Sequence, residues 1–238
     1  MAVNLAEPSV SSSLAARDVL ALKRVFETIH SRSCPTSFNF HMHTVCSDGR
    51  LQPESLIQQA IAIGLKGLAI TDHHTTDGYQ QAQRWLNEYQ NTASEQTPLS
   101  LPHLWTGIEV TSELLDTEVH ILGYAFDPSH SLMRPYLQHH APQRADALAE
   151  CVVTSIHGAG GVAVLAHPVR YRRSPEELIP AAVQIGIDGV ETYYAYDNPN
   201  PWRTSSRQTE QVKHLSTTHN VLNTCGTDTH GLSLLQRL

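Results

Sequence analysis

The chain lacks an excess of basic residues, and it lacks long apolar runs. It contains 16 lysines and arginines against 23 aspartates and glutamates, which gives a formal net charge of −7. A surface that follows a long nucleic-acid duplex needs clustered positive charge, so we expect no such partner. No apolar run comes near the roughly 18 residues that cross a membrane, so we expect no membrane association either.

Cysteines are also few. The four cysteines form no CxxC pair and no pattern that is typical of a disulfide framework. The N-terminal residues lack the apolar core of a secretory signal. These absences predict a reduced, cytoplasmic protein, and they leave its oligomeric state open.

Apolar segments that end in polar loops recur along the chain and alternate with helical patterns. Seven of them are predicted to be strands, over residues 38–41, 67–71, 104–107, 118–124, 162–166, 187–192 and 221–225. Helical patterns cover residues 53–63, 78–90, 142–157, 175–185 and 205–219. Pro53 starts the first of these helices, Gly64 ends it, and Ser174 is a predicted N-cap. The alternation predicts a mostly parallel α/β sheet with both faces covered.

Histidine, by contrast, is abundant: the chain has 15, and several of them follow predicted strands directly. His41 and His43 are two residues apart at a strand end, so their imidazoles project to the same side. Carboxylates and further histidines follow the other strands. The full set of candidate ligands is His41, His43, Asp48, His73, Glu109, His120, His167, Asp228 and His230.

Each of these residues has an ordinary explanation when it is taken alone. A single histidine at a strand end is usually a hydrogen-bonded core or surface residue, and Asp48-Gly49 alone is a turn. Nine such placements in register with the strands are improbable by chance. Imidazoles and carboxylates together suit zinc, manganese or iron, and a carboxylate can bridge two ions. We therefore predict a site for two or three divalent ions.

The distribution of these residues also bears on the architecture. An open doubly wound sheet gathers its site at one switch point, whereas ligands at nearly every strand end favour a closed barrel with the site at one mouth. Residues 1–13 are polar and rich in serine, which is typical of disorder, and an amphipathic helix is predicted from residue 13 or 14 to about 30. We therefore expect an N-terminal extension of residues 1–34 and one barrel domain of residues 35–238.

The motifs around the candidate ligands resemble those of the PHP (polymerase and histidinol phosphatase) superfamily. The segment HMHTVCSDG, at residues 41–49, resembles the HxHSxxSDG element of that family, and AITDHHT, at residues 69–75, resembles the second element. The sequences around Glu109, His120 and His167 and at residues 226–230 are similar to the remaining elements. The resemblance runs from Phe38 to the C-terminus. It implies a distorted seven-stranded (β/α)7 barrel with the metal site at the C-terminal mouth.

The resemblance also divides the ligands among ions. One ion would be held by His41, His43, Glu109 and Asp228, a second by the bridging Glu109 with His120 and His167, and a third by Asp48, His73 and His230. It further implies that Asp72 orients a metal ligand, because metal-bound histidines need such partners. The nucleophile would be a metal-bound hydroxide, and no protein nucleophile would be needed.

Within the superfamily, the order of elements resembles stand-alone phosphoesterases that act on nucleotides, including 3′,5′-bisphosphate phosphatases and an RNA-trimming enzyme. By that resemblance, Arg144 and Arg170 would contact the substrate phosphate and His74 would lie near it, although each arginine is equally well explained as a solvated surface residue. The helical insertion that usually covers the barrel mouth is missing between His120 and His167. The aromatic loop 193–202 either replaces it or packs its rings onto the barrel.

These patterns predict a metal-dependent phosphoesterase that acts on a small phosphorylated substrate, in the first place a nucleoside mono- or 3′,5′-bisphosphate. Histidinol-phosphate phosphatase and short-oligonucleotide exonuclease are the alternative activities. A metal-binding regulatory module is the non-enzymatic alternative. An amide-cleaving metal hydrolase is disfavoured, because the lysine that often bridges metals in that fold has no counterpart here.

Overall fold

The computed structural model describes residues 14–92 and 101–238. The helices are α1 (Val19–Thr28), α2 (Pro53–Ile63), α3 (Asp77–Thr92), α4 (Ala149–Gly158), α5 (Pro175–Gln184) and α6 (Ser206–Thr218), with two 3-10 helices at Ser131–Tyr136 and Arg144–Ala147. The strands are β1 (Phe38–Asn39), β2 (Gly67–Ala69), β3 (His103–Trp105), β4 (Gly107–Leu114), β5 (Thr117–Tyr124), β6 (Val162–Leu165), β7 (Gly189–Tyr193) and β8 (Leu222–Cys225).

The strands form two sheets. The first has the order β1-β2-β3, and its strands are parallel. The second has the order β4-β5-β6-β7-β8, in which β5 runs antiparallel to both of its neighbours and the remaining pairs are parallel. All four residues of β6 are buried, as expected for a strand that is covered on both faces. The fold is therefore mixed α/β, and among the described residues no helix is both long and apolar enough to span a membrane.

Backbone hydrogen bonds connect the two sheets in two places. Just after β1, the Phe40 N–H donates to the Cys225 carbonyl of β8 over 3.0 Å, and the His43 N–H donates to the Thr229 carbonyl over 2.9 Å. Just after β2, the Asp72 carbonyl accepts from the Glu109 N–H of β4 over 3.2 Å. The strand ends that carry the candidate ligands are therefore held side by side. A fully closed seven-stranded barrel stays a prediction.

The region of β4 and β5 departs from the predicted alternation of strand and helix. The two strands form an antiparallel hairpin, so β4 extends to Leu114 and no crossover helix follows it. Leu115 and Asp116 form the two-residue turn with φ angles of 52° and 55°. Tight hairpins need this left-handed conformation, which Asn-Gly usually supplies. Because a leucine occupies the turn, the hairpin carried no such signal, and the sheet is less parallel than predicted.

The predicted helix over residues 142–157 is also interrupted. Arg144–Ala147 form a 3-10 turn, and α4 begins only at Ala149. Leu148 lies between them with an extended backbone (φ −65°, ψ 130°) and forms a bridge with Glu113 of β4. Pairing with the edge of the hairpin therefore takes precedence over helix formation at this position, and it leaves Arg144 outside the α-helix.

Local signals set the ends of α2 and α5 as predicted. Pro53 occupies the first turn of α2, and Gly64 ends that helix in the left-handed conformation (φ 83°), which glycine adopts without steric cost. Ser174 caps α5 through a capping box with Glu177. The predictions for both helices are confirmed.

Helix α1 packs its apolar face onto the sheets. Leu22 and Phe26 are buried in the same cluster as Phe40, and the Phe26 and Phe40 rings meet edge to face with centroids 5.0 Å apart. Lys23 forms an ion pair with Asp188 at 2.8 Å. The predicted amphipathic helix is thus present over a shorter range. Residues 1–13 and 93–100 lie outside the described residues, so the disorder predicted for residues 1–13 stays a prediction, as does the division at residue 34.

Candidate metal centre

The nine predicted ligands lie together where strands of both sheets end. His41 and His43 follow β1, Asp48 precedes α2, His73 follows β2, Glu109 is in β4, His120 is in β5, His167 follows β6, and Asp228 and His230 follow β8. The buried members are His41, His43, Glu109, His167 and Asp228. Burying this many ionisable groups is unfavourable unless they neutralise one another or bind a cation.

The chain around Met42 sets the direction of the first two histidines. Met42 is fully buried in an apolar cluster with Leu56 and Ile57. A bridge between Met42 and Thr229 keeps this segment extended, and consecutive side chains of an extended chain point to opposite sides. Because Met42 points into the core, His41 and His43 both face the metal centre.

Glu109 occupies the middle of the cluster, and its two oxygens face different histidines. Oε2 lies 2.9 Å from His41 Nε2 and 3.0 Å from His43 Nε2. Oε1 lies 2.7 Å from His120 Nδ1 and 3.4 Å from His167 Nε2. A carboxylate whose oxygens face two separate pairs of imidazoles has the geometry that a bridging ligand needs.

The two oxygens of Asp228 also face different partners: one faces histidines, and the other faces arginines and a tyrosine. Oδ1 lies 3.4 Å from His41 Nε2 and 3.3 Å from His43 Nε2. Oδ2 points the other way and accepts hydrogen bonds from a tyrosine and two arginines. Asp228 and His167 both have positive φ angles, 54° and 25°. Such conformations are unfavourable for residues other than glycine and are concentrated at functional sites.

The predicted ligands Asp48, His73 and His230 are more exposed than the buried ones. Asp48 Oδ2 lies 3.1 Å from His230 Nε2 and 3.9 Å from His73 Nε2, and Asp48 Oδ1 lies 3.4 Å from His43 Nδ1. The Asp48 side chain is 53% exposed and that of His73 is 22% exposed. This group therefore lies at the solvent side of the cluster, with His43 shared between it and the buried group.

The side chains present suit divalent cations. Donor atoms lie within 4.8 Å of one another in four groups, which are His43, Asp48, His73 and His230; His41, His43, Glu109 and Asp228; His41, His167 and Glu191; and His73, Glu109 and His120. Both ring nitrogens of His43 are buried without an aligned hydrogen bond, as is Nδ1 of His167. Buried nitrogens are rarely left without a partner, and an ion among His41, His43, Glu109 and Asp228 would account for His43 Nε2. Nitrogen and carboxylate donors fit zinc, manganese or iron.

The PHP domain family model matches residues 39–167, which is more than half of the chain. The chain belongs to the PHP domain family. This match confirms the resemblance seen in the motifs, and it covers seven of the nine predicted ligands, leaving Asp228 and His230 beyond its end.

Individual relatives of this PHP domain share about a third or less of their aligned residues with it, over part of its length. The chain is 34% identical to the 5′-3′ exoribonuclease Rnm of Escherichia coli over 48% of this chain and 36% of that protein. It is 28% identical to the 3′,5′-nucleoside bisphosphate phosphatase of Chromobacterium violaceum over 59% of this chain and 45% of that protein. The chain thus spans about a third of the length of the Rnm exoribonucleases it matches. A solved structure, of a candidate metal-dependent phosphoesterase from Bifidobacterium adolescentis, is 25% identical with a TM-score of 0.65 and covers 83% of this chain and 88% of that chain.

Close packing of charges shifts the pKa values in the PHP domain. Burial lowers the pKa of His43, but the carboxylates of Asp228 and Glu109 outweigh it and raise that pKa to about 9. Burial raises the pKa of both carboxyls, yet the adjacent histidines hold both pKa values well below their usual range. Burial dominates at His73 and lowers its pKa to about 4. Glu109 and Asp228 are therefore ionised at neutral pH, the state that a carboxylate needs in order to bind a metal ion.

Glu191 of β7 belongs to the site, although the sequence analysis missed it. Its side chain is buried, with Oε1 3.0 Å from His41 Nδ1, and Oε2 accepts a hydrogen bond from the His167 N–H over 2.9 Å. An Nδ1–H of His41 that donates to Glu191 leaves Nε2 free for an ion. A signal was present, because Gly-Val-Glu at residues 189–191 repeats the Gly-Ile-Glu pattern that carries Glu109.

Asp72 contacts the loop between two predicted ligands, His43 and Asp48, and its predicted role in orienting a ligand stays a prediction. Its Oδ1 accepts hydrogen bonds from the Thr44 N–H over 2.7 Å and from Ser47 Oγ over 2.8 Å, and its Oδ2 accepts from Thr44 Oγ1 over 2.7 Å. Asp72 therefore positions the loop between His43 and Asp48 rather than an imidazole ring. Its effect on the ligands passes through the backbone.

A cleft of about 320 Å³ opens onto the metal centre. It is lined by predicted ligands and by four further side chains, which are Glu118, Arg170, Tyr171 and Arg237. Arg170 Nη1 donates to Asp228 Oδ2 and to the Tyr194 hydroxyl, each over 3.0 Å. The predicted Arg170 thus lies beside the metal centre, and Arg237 is an additional arginine that no motif indicated.

The other predicted substrate contacts lie elsewhere. Arg144 is exposed on its 3-10 turn and does not line the cleft, which argues against the predicted phosphate contact. His74 is buried with Nε2 3.1 Å from Thr111 Oγ1, and it too is outside the cleft lining. In the loop 193–202, Tyr194 and Trp202 are buried, so these rings pack onto the protein and do not form an open platform for a base.

Proposed function

We propose that this PHP domain is a metal-dependent phosphoesterase that hydrolyses a phosphate ester of a small molecule, in the first place a nucleoside mono- or 3′,5′-bisphosphate. The observation that carries the proposal is one carboxylate, Glu109, with two pairs of imidazoles on its two oxygens, at the base of a cleft that also contains arginine. Neighbouring cations and guanidinium groups are the partners that phosphate esters require.

Two or three divalent ions would bind in this centre, and manganese, zinc and iron all suit its donors. The first set is His41, His43, Glu109 and Asp228, the second is Glu109, His120 and His167, and the third is Asp48, His73 and His230. The first and third sets correspond to groups whose donor atoms converge within 4.8 Å. In the second set both histidines face Glu109 Oε1. Their donor atoms nevertheless belong to different converging groups: His120 groups with Glu109 and His73, and His167 groups with His41 and Glu191. Such ions, when bound, polarise the phosphoryl group and activate water.

The protein's own residues would bind and orient the ester. Arg170, 40% exposed at the cleft, would hold the phosphate oxygens through a forked pair of N–H groups. Glu191 and Glu109 keep His41 in one orientation. Preorganised positive groups of this kind stabilise the charge that develops on phosphate oxygens in the transition state.

Two kinds of relative bear on the substrate. The bisphosphate phosphatase of Chromobacterium violaceum supports a nucleoside bisphosphate, and the exoribonucleases of Escherichia coli and Salmonella typhimurium support the end of a short RNA as a second candidate. The net charge of −7 favours the small substrate, because it provides no long basic track. Histidinol phosphate is retained as a comparison substrate.

Phosphate release by the full chain, loaded with Mn²⁺, tests the proposal. The substrates are 5′-AMP, 3′,5′-bisphosphoadenosine, histidinol phosphate and a short 5′-phosphorylated RNA. We expect preference for a nucleotide substrate and loss of at least 100-fold in rate in His43→Ala and Asp228→Ala, because each removes a ligand of the buried ion. His214→Ala, on the exposed side of α6, is the control and should keep full activity.

Absence of hydrolysis on all four substrates by a protein that binds metal would contradict the phosphoesterase proposal. The remaining explanation would then be a metal-binding regulatory module. Preference for histidinol phosphate or for RNA would keep the reaction and change the substrate.

We also propose that the two sheets form one distorted seven-stranded (β/α)7 barrel with the metal centre at its C-terminal mouth, in which β3 and β4 act as one strand. The hydrogen bonds from Phe40 to Cys225 and from Glu109 to Asp72 support closure on both sides. Hydrogen exchange tests it: the amides of Phe40 and Glu109 should be protected to the same degree as those in the middle of β7.

A further inference from the structure

Two guanidinium groups converge on one carboxylate oxygen at the edge of the metal centre. Arg170 Nη1 and Arg237 Nε donate to Asp228 Oδ2 over 3.0 Å and 2.8 Å, and the Tyr194 hydroxyl donates to the same oxygen over 2.6 Å. Both arginines line the cleft, and the Arg237 side chain is 21% exposed. Arg237 belongs to no motif and has no role in the function proposed above.

The charges around this oxygen do not balance. Asp228 supplies one negative charge for two cations, and its other oxygen already faces His41 and His43. A guanidinium has five N–H donors, and Arg237 uses its Nε–H on Asp228. Arg237 also hydrogen-bonds to the neutral Tyr194 side chain, and among the described residues Asp228 is the only carboxylate with which it forms an ion pair. Three other carboxylates line the cleft: Asp48 pairs with His230, Glu109 lies among histidines, and the exposed Glu118 forms no ion pair with either arginine.

The segment that carries Arg237 is folded back onto the site. The Arg237 carbonyl accepts hydrogen bonds from the His230 N–H over 2.7 Å and from the Gly231 N–H over 3.2 Å. Leu234, in the middle of the segment, is fully buried in the cluster that contains Met42. The guanidinium is therefore held in place before any ligand arrives, which lowers the entropic cost of using it for binding.

We propose that Arg237 and Arg170 form a two-arginine site for the phosphoryl group of the substrate, with Asp228 as the shared anchor between this site and the metal centre. Because the two oxygens of Asp228 face the two sides, a phosphate held by the arginines lies next to the metal ligands, which makes it the reacting phosphate. Two cations favour a dianionic terminal phosphate over a monoanionic diester. The substrate class is therefore a phosphomonoester, and this step rests on the function proposed above.

The competing explanation is that Arg237 only orients Asp228. Binding of inorganic phosphate to the Mn²⁺-loaded full chain, measured by calorimetry together with the metal content, separates the two. We expect Arg237→Gln to weaken phosphate binding about 10- to 100-fold at unchanged metal content, as for the loss of a charge-assisted hydrogen bond. Arg237→Lys, which keeps the charge and loses the fork, should lie between the wild type and Arg237→Gln.

Two matched variants complete the design. Tyr194→Phe removes a neutral donor from the same Asp228 oxygen and an acceptor from Arg170 Nη1 but leaves both cations, so its phosphate affinity should fall by less than that of Arg237→Gln. Arg173→Gln removes an arginine that pairs with Glu177 outside the cleft and should change nothing. Loss of metal from Arg237→Gln, or full metal content with wild-type phosphate affinity, would each overturn the proposal.

The measurement is independent of turnover, so the two proposals fail separately. A protein that binds phosphate through Arg237 and hydrolyses no ester would refute the phosphoesterase activity and keep the two-arginine site. A protein that hydrolyses phosphomonoesters equally well with Arg237→Gln, at the same KM and phosphate affinity, would refute the two-arginine site alone.

Discussion

Replacing Glu191 with glutamine tests whether the metal centre depends on a carboxylate that binds no ion in the proposed scheme. Glu191 accepts two hydrogen bonds, one from His41 Nδ1 and one from the His167 N–H. Glutamine has the same shape but only one acceptor oxygen. In either orientation of the amide, one of the two buried N–H groups would face an NH₂ group.

The size of the effect follows from these contacts. A buried donor without an acceptor costs about 1–3 kcal/mol, which should appear as a loss of unfolding free energy in the metal-free protein. Removal of a carboxylate that orients a ligating histidine lowers metal affinity about 10- to 100-fold, equivalent to about 1.4–2.7 kcal/mol. We therefore expect Glu191→Gln to weaken Mn²⁺ binding by that factor.

Competition with a chromophoric chelator measures the metal affinity, and urea unfolding of the metal-free protein measures the stability. Thr192→Val is the matched control, since it removes a buried hydrogen bond to Asn223 from the next residue of the same strand. It should lose stability and keep its metal affinity. Wild-type metal affinity in Glu191→Gln would refute the reasoning, because His41 would then need no carboxylate to orient it.

Three further predictions concern stability. Burial raises the pKa of Asp188, but hydrogen bonds from Lys23, the Ala163 N–H and His157 outweigh it and lower that pKa below its usual value. Asp188→Asn should therefore lose about 1–2 kcal/mol at pH 7 in urea unfolding, and the difference from the wild type should shrink as the pH falls from about 4 through the lowered pKa of the folded state, below which the carboxyl is protonated in both states. A difference that stays constant as the pH falls below about 4 would contradict this. A Cβ at Gly226 would collide with the His41 side chain, so Gly226→Ala should lose about 1–3 kcal/mol in unfolding free energy, and a neutral effect would show that the segment can shift freely. Removal of metal with a chelator should lower the Tm, and Mn²⁺ at 100 times its Kd should restore about 2.7 kcal/mol, an effect that should be absent in His43→Ala.

The sequence was most informative where chemistry and strand period coincide. His41 and His43 could be assigned to one side because they are two residues apart at the end of a predicted strand, and the structure has Met42 between them in the core. Glu109 and His167 were found because each follows an apolar run that was predicted to be a strand. Their placement in one cluster follows from the strand ends lying side by side.

Features that depend on contacts between residues distant in sequence could not be predicted in this way. Arg237 reaches Asp228 only because Leu234 anchors the segment between them, and nothing near Arg237 in the sequence indicates a site. The hairpin turn at Leu115 was hidden because its left-handed residues are not glycine or asparagine. The extended Leu148 that interrupts the predicted helix pairs with β4, a contact distant in sequence.

The unequal burial of the donor groups has a consequence for how the protein is handled. An ion held by His41, Glu109 and Asp228 would be enclosed by side chains that are at most 2% exposed, whereas Asp48 at the outer position is 53% exposed. We therefore predict that an inner ion would leave only when the protein opens, whereas an outer ion would exchange directly with the buffer. A preparation would then be a mixture of molecules that share an inner metal fixed when the chain folded and differ in an outer metal set by the last solution they met.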